Sequence, residues 1–83
     1  MFMRDIAIGI EKIYVPVKRR QTLDESRVQA LAESILENGQ QTPIWVRPDQ
    51  GRYVLVEGLH RLEACKMLGE TTITAILVHA RGF

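Results

Sequence analysis

Apolar and polar positions recur along this chain with two different periods, and each change of period marks an element. Residues 6 to 15 are rich in isoleucine and valine, interrupted by Gly9 and by Glu11-Lys12. That run predicts a strand followed by an extended segment that Pro16 closes. Past Thr22 the period lengthens. Val28, Leu31, Ala32, Ile35 and Leu36 fall at i, i+3, i+4, i+7 and i+8, the stripe of an amphipathic helix. Thr22-Leu23-Asp24-Glu25 has the form of a capping box at its start, and Asn38-Gly39 stops it.

Ile44 to Arg47 reads as a strand, Pro48 to Gly51 as a turn, and Arg52 to Glu57 as the returning strand of a hairpin. Tyr53-Val54-Leu55-Val56 is apolar at successive positions, which predicts a strand inside the sheet with a helix over it. A second helix follows over residues 60 to 68 and ends at Gly69, and Ile73 to Val78 forms the last strand. Neither a repeat nor a domain boundary interrupts this order. Residues 1–83 therefore read as one α+β domain, a small mixed β-sheet packed against helices.

Composition narrows the function classes. With 83 residues, 46% of them hydrophobic and 25% charged, the chain suits one globular core near the lower size limit. No apolar run is long enough to span a bilayer, and Met1-Phe2-Met3-Arg4-Asp5 lacks the pattern of a signal peptide, so a cytoplasmic location without membrane attachment is expected. A single cysteine, Cys65, excludes an intramolecular disulfide and reads as a small core residue. His60 and His79 are too far apart for metal-ligand spacing, and His79 reads as a surface group.

A net charge of +1 excludes a global field that would pull the chain onto nucleic acid or an anionic membrane. The consecutive Lys18-Arg19-Arg20 and the separate Arg27, Arg47, Arg52 and Arg61 still leave room for a local basic pocket. For any one arginine, solvation beside Asp24, Glu25, Glu33, Glu37 or Asp49 is the competing reading. Trp45 reads as a core or interface residue. Single-strand binders present several rings among basic residues, and here only Tyr53 is a companion.

The strongest chemical signal is the junction Val56-Glu57-Gly58-Leu59-His60-Arg61, where an apolar strand meets a glycine and then a helix. The first N–H groups of that helix lack intrahelical partners, and its dipole is positive at this end. Phosphate suits such a place. Arg61 adds a planar fork of donors, His60 a donor that also exchanges protons near neutral pH, and Gly58 a sharp turn. Glu57 has two readings: a carboxylate that holds magnesium or accepts a proton from an attacking hydroxyl, or a structural partner of His60 or Arg61.

Glu57-Gly58-Leu59-His60-Arg61, continued by Leu62-Glu63-Ala64, Leu68-Gly69 and Thr72-Ile73-Thr74-Ala75, resembles the ParB/sulfiredoxin superfamily, and the likeness runs from Ile13 to His79. The resemblance implies the ParB/sulfiredoxin fold and a nucleotide, ATP, ADP or CTP, held with or without magnesium. It places Arg27 and Ser34 of the first helix at the nucleotide, together with Gly58, His60 and Arg61. More loosely, Pro16 and Arg20 match a proline and arginine that precede this helix in ParB proteins. It also implies two classes of function. One is a regulatory or DNA-maintenance module with a protein or DNA partner. The other is an enzyme using Glu57 and His60, either a phosphotransferase or phosphohydrolase, as in the superfamily's ADP-dependent serine kinases, or a nuclease. Sulfinic acid reduction is disfavoured because sulfiredoxins carry a nucleophilic cysteine where this chain has Leu59. The chain also lacks the Glu-Asn-rich motif and the helix-turn-helix domain of full ParB proteins, which argues against operator binding of that kind.

Overall fold

The computed structural model describes residues 5–39 and 42–78. His79 and the first four residues, on which expectations were placed above, lie outside them. Five strands form one sheet: β1 (Asp5–Gly9), β2 (Ile13–Tyr14), β3 (Ile44–Asp49), β4 (Arg52–Glu57) and β5 (Thr72–Leu77). Three helices accompany it, α1 (Val17–Arg20), α2 (Glu25–Asn38) and α3 (Leu59–Met67). Their order across the sheet is β1-β5-β3-β4-β2. β1 runs antiparallel to β5 and β3 antiparallel to β4, while β5 is parallel to β3 and β2 parallel to β4. The mixed α+β architecture matches the sequence expectation.

The extended segment before Pro16 is more broken than expected. A single 3-10 turn, Ile10–Lys12, separates β1 from β2, and the two strands occupy opposite edges of the sheet. Ile10 is buried, and its N–H donates to the Thr71 carbonyl at 3.0 Å.

Helix α2 carries the predicted stripe in narrower form. Val28, Ala32 and Ile35 are buried and Leu31 half-buried, but Leu36 is 75% exposed. The capping box is corrected too. Asp24 is the N-cap, accepting from the Ser26 N–H at 3.0 Å, while the Thr22 hydroxyl donates to the Arg19 carbonyl. Helices α2 and α3 pack together, and α3 packs on β3. The core lies between helices and sheet, with Ile44, Val46, Leu62, Ala64 and Ala75 fully buried. Leu55 and Cys65 join them at 2% exposure, so the core reading of Cys65 holds. Burial also pushes the Cys65 thiol up from its ordinary pKa, with the Glu70 charge adding to that effect and Arg61 opposing it.

β3 extends past its expected end, through Pro48 to Asp49, and the loop shrinks to Gln50-Gly51. Both loop residues have positive φ, 47° and 84°, as a two-residue turn matched to strand twist requires. Among the described residues β5 pairs only with Ile44 to Val46 of this interior strand, so Pro48, which has no N–H to donate, breaks none of the described β3–β5 pairing.

Candidate functional site

The turn from β4 into α3 sets the site. Gly58 caps α3 with φ 107° and ψ 31°, a left-handed conformation that side chains disfavour. It has no side chain to accept from the first-turn N–H groups, and the first helical bond runs from the Leu62 N–H to the Gly58 carbonyl at 2.9 Å. Gly58, Leu59, His60 and Arg61 all line a cleft of about 580 Å³, within the usual range for small-ligand sites.

The opposite wall comes from the N-terminal part of α2 and the segment before it. Arg27 and Leu31 line the cleft from α2, Arg19 from α1, and Thr22 from the turn between them. Ser34 is absent from this lining. It shares a helical face with Arg27, but seven residues of helix carry it about 10 Å along the axis, away from the junction. Arg20 is also absent, its Nε donating instead to the Val15 carbonyl at 3.2 Å. Successive residues on a helix diverge by about 100°, so in α1 it is Arg19 that faces the cleft.

His60 joins the two helices. Its Nε2 accepts from the Asp24 N–H at 3.0 Å, binding the N-terminus of α3 to the N-cap of α2. An accepting nitrogen carries no proton, so this geometry requires neutral imidazole with its hydrogen on Nδ1. Asp24 is held below the usual carboxylate range, chiefly by the Ser26 hydroxyl, with further help from the Arg27 and Ser26 N–H groups and the Arg27 charge.

Glu57 pairs with neither His60 nor Arg61, against the structural reading of the sequence. Its Oε1 accepts from Arg19 Nη1 at 3.4 Å, with both side chains largely exposed. Among the described residues no group of three His, Cys, Asp or Glu side chains is placed to hold a metal. Pro43, just before β3, and Trp45, within it, complete the apolar part of the cleft. Sequence reasoning passed over Arg19, Thr22 and Leu31 as site residues, and Trp45 as well. The basic run 18–20 was the available signal for the first of these.

An α+β domain with two helix N-termini meeting at a basic cleft is a fold with known counterparts. The chain belongs to the ParB N-terminal domain family, whose model matches residues 4–81. It is 37% identical over 76 residues to a probable chromosome-partitioning protein ParB of Helicobacter pylori, covering 90% of this chain and 26% of that protein. With the chloroplastic/mitochondrial sulfiredoxin of Arabidopsis thaliana it shares 38% identity over 68 residues, 82% of this chain and 54% of the relative. The chain thus spans about a quarter and about half of these two relatives.

The crystal structure of the Arabidopsis sulfiredoxin superposes with a TM-score of 0.82 at 34% identity, covering 93% of this chain and 86% of that one. A C-terminally truncated ParB from Caulobacter crescentus, complexed with CTP-gamma-S, gives 0.81 at 29% identity, covering 95% and 46% respectively. These matches establish the ParB/sulfiredoxin fold. Among the described residues, no helix is long and apolar enough to cross a membrane.

Proposed function

We propose that this domain binds a nucleotide through its phosphates, at the cleft between the Gly58–Arg61 turn and Arg27. The carrying observation is that two helices distant in sequence bring Arg27, Arg61 and the uncapped start of α3 to one cleft. Arginine forks and free N–H groups are the donors that phosphate oxygens take. The CTP-gamma-S held by the Caulobacter relative supports the reading, and the base is left open among ATP, ADP and CTP. A regulatory or DNA-maintenance role in the cytoplasm, with a protein or DNA partner, accords with the ParB likeness.

His60 would contribute Nδ1–H to a ligand, because Nε2 is engaged by Asp24. Glu57 fits magnesium only as one carboxylate ligand, the remaining ligands coming from phosphates and water. Magnesium so held would neutralise phosphate charge. Sulfinic acid reduction is not part of the proposal: Leu59 is a buried apolar side chain where the chemistry needs a thiolate.

Arg61→Ala tests the site. It removes a charge-assisted contact worth about 1.5–3 kcal/mol and is expected to weaken nucleotide binding at least about tenfold in calorimetry, with the fold retained by circular dichroism. Unchanged affinity in the folded variant would remove the phosphates from this turn.

A second reading, phosphoryl transfer or hydrolysis, is favoured by one observation: Glu57 stands in the cleft lining immediately before the turn, 65% exposed and tied only loosely to Arg19. On this reading Glu57→Gln binds nucleotide as well as or better than the natural chain, since a negative charge has left the phosphate site. Turnover falls by roughly 10² to 10⁴. Phosphate release at saturating nucleotide and magnesium measures it, and equal rates would take Glu57 out of any mechanism.

A further inference from the structure

Trp45 is 40% exposed and lines the same cleft as Arg27 and Arg61. Its chain neighbours Ile44 and Val46 are fully buried, so strand alternation turns the indole away from the core. It lies opposite Glu57 in the ladder, and the register shifts between Trp45 and Val46. Such irregularities re-aim side chains beside sites. A lone tryptophan on a surface needs no explanation. This one offers a flat apolar face in a cleft that also gathers cations, with Leu31 and Pro43 adding apolar wall.

We propose that Trp45 is the platform on which the base of a bound mononucleotide stacks, an inference that rests on the phosphate reading given above. The arginines and the α3 N-terminus hold the anionic half of the ligand, and the indole covers the aromatic half. Every base has a π-face, so the ring raises affinity for nucleotides as a class over inorganic phosphates without choosing strongly among bases.

Trp45 is the single tryptophan of the chain, so its fluorescence reports on this ring alone. The full chain is titrated with ATP, CTP and inorganic tripolyphosphate, following fluorescence and heat together. Both nucleotides are expected to quench, whereas tripolyphosphate binds more weakly and leaves the emission unchanged. Trp45→Ala is expected to weaken nucleotide binding roughly 5- to 150-fold and tripolyphosphate binding less than about twofold, with Trp45→Phe retaining most of the affinity. If Trp45→Ala fails to fold, quenching in the natural chain and the affinity of Trp45→Phe decide. Nucleotides that bind the natural chain without quenching, or bind Trp45→Ala at full strength, overturn the stacking and leave the phosphate reading intact. Failure of both nucleotides and tripolyphosphate to bind the natural chain overturns both.

Discussion

At Gly58 a single hydrogen atom in place of a side chain decides the shape of the site. A Cβ built there would lie 2.6 Å from Ile44 Cγ2 and 3.2 Å from the Ile44 Cα, at a φ of 107° that L side chains rarely adopt. Backbone strain and overpacking each cost about 1–3 kcal/mol, so Gly58→Ala is expected to destabilise the domain by about 2–6 kcal/mol in denaturant unfolding. A loss below about 1 kcal/mol would mean that the turn can relax. Ile44 is fully buried and cannot swing aside, which ties the phosphate turn to the core. The sequence marked Gly58, His60 and Arg61 because a strand, a glycine and a helix in succession form a local pattern. Trp45 reads from the sequence only as a core or interface residue because exposure is a tertiary property, and a tryptophan on an apolar strand looks the same whether its ring faces in or out.

The helices tell a similar story at the scale of elements. Long periodic segments were legible: α2, α3 and the central strands fall within a few residues of their sequence bounds. The four-residue α1 and two-residue β2 were not, since neither is long enough to show a period. The capping residue was misplaced for a related reason. Thr22 and Asp24 both have cap-forming side chains, and it is the tertiary bond from the Asp24 N–H to His60 that fixes the start of α2. This cap predicts a pH effect. The folded pKa of Asp24 is lowered, so its contribution is complete above the ordinary carboxylate value and fades as pH falls through the lowered one. Asp24→Asn keeps a side-chain acceptor but does not titrate. Denaturation midpoints of the two proteins should therefore converge as pH falls through that range. A gap that stays constant with pH would show that the carboxylate charge is irrelevant to the cap.

For the molecule as a whole, the informative fact is that β1 and β2 occupy opposite edges of the sheet yet are joined by one 3-10 turn. Four inter-strand gaps of about 4.8 Å would separate Gly9 from Ile13 laterally in a flat sheet. The strand pairings add an offset of about seven residues, or roughly 24 Å, along the strands. The chain from Gly9 to Ile13 reaches at most about 14 Å. Lengthening that link by Gly-Gly-Ser after Lys12 relieves its tension, so unfolding stability is expected to fall by less than the ~0.6 kcal/mol that doubling a loop costs in closure entropy, or to rise. A loss of the full entropy cost or more would mean that the link carries no tension. A flat ribbon being impossible, the sheet must coil strongly, drawing its two margins toward each other around the buried Ile10 in the manner of a half-closed barrel. Such coiling gives a domain this small an answer to the hazard of open sheet edges: among the described residues its two outermost strands, five and two residues long, present neither the length nor the flatness on which another chain would extend a sheet.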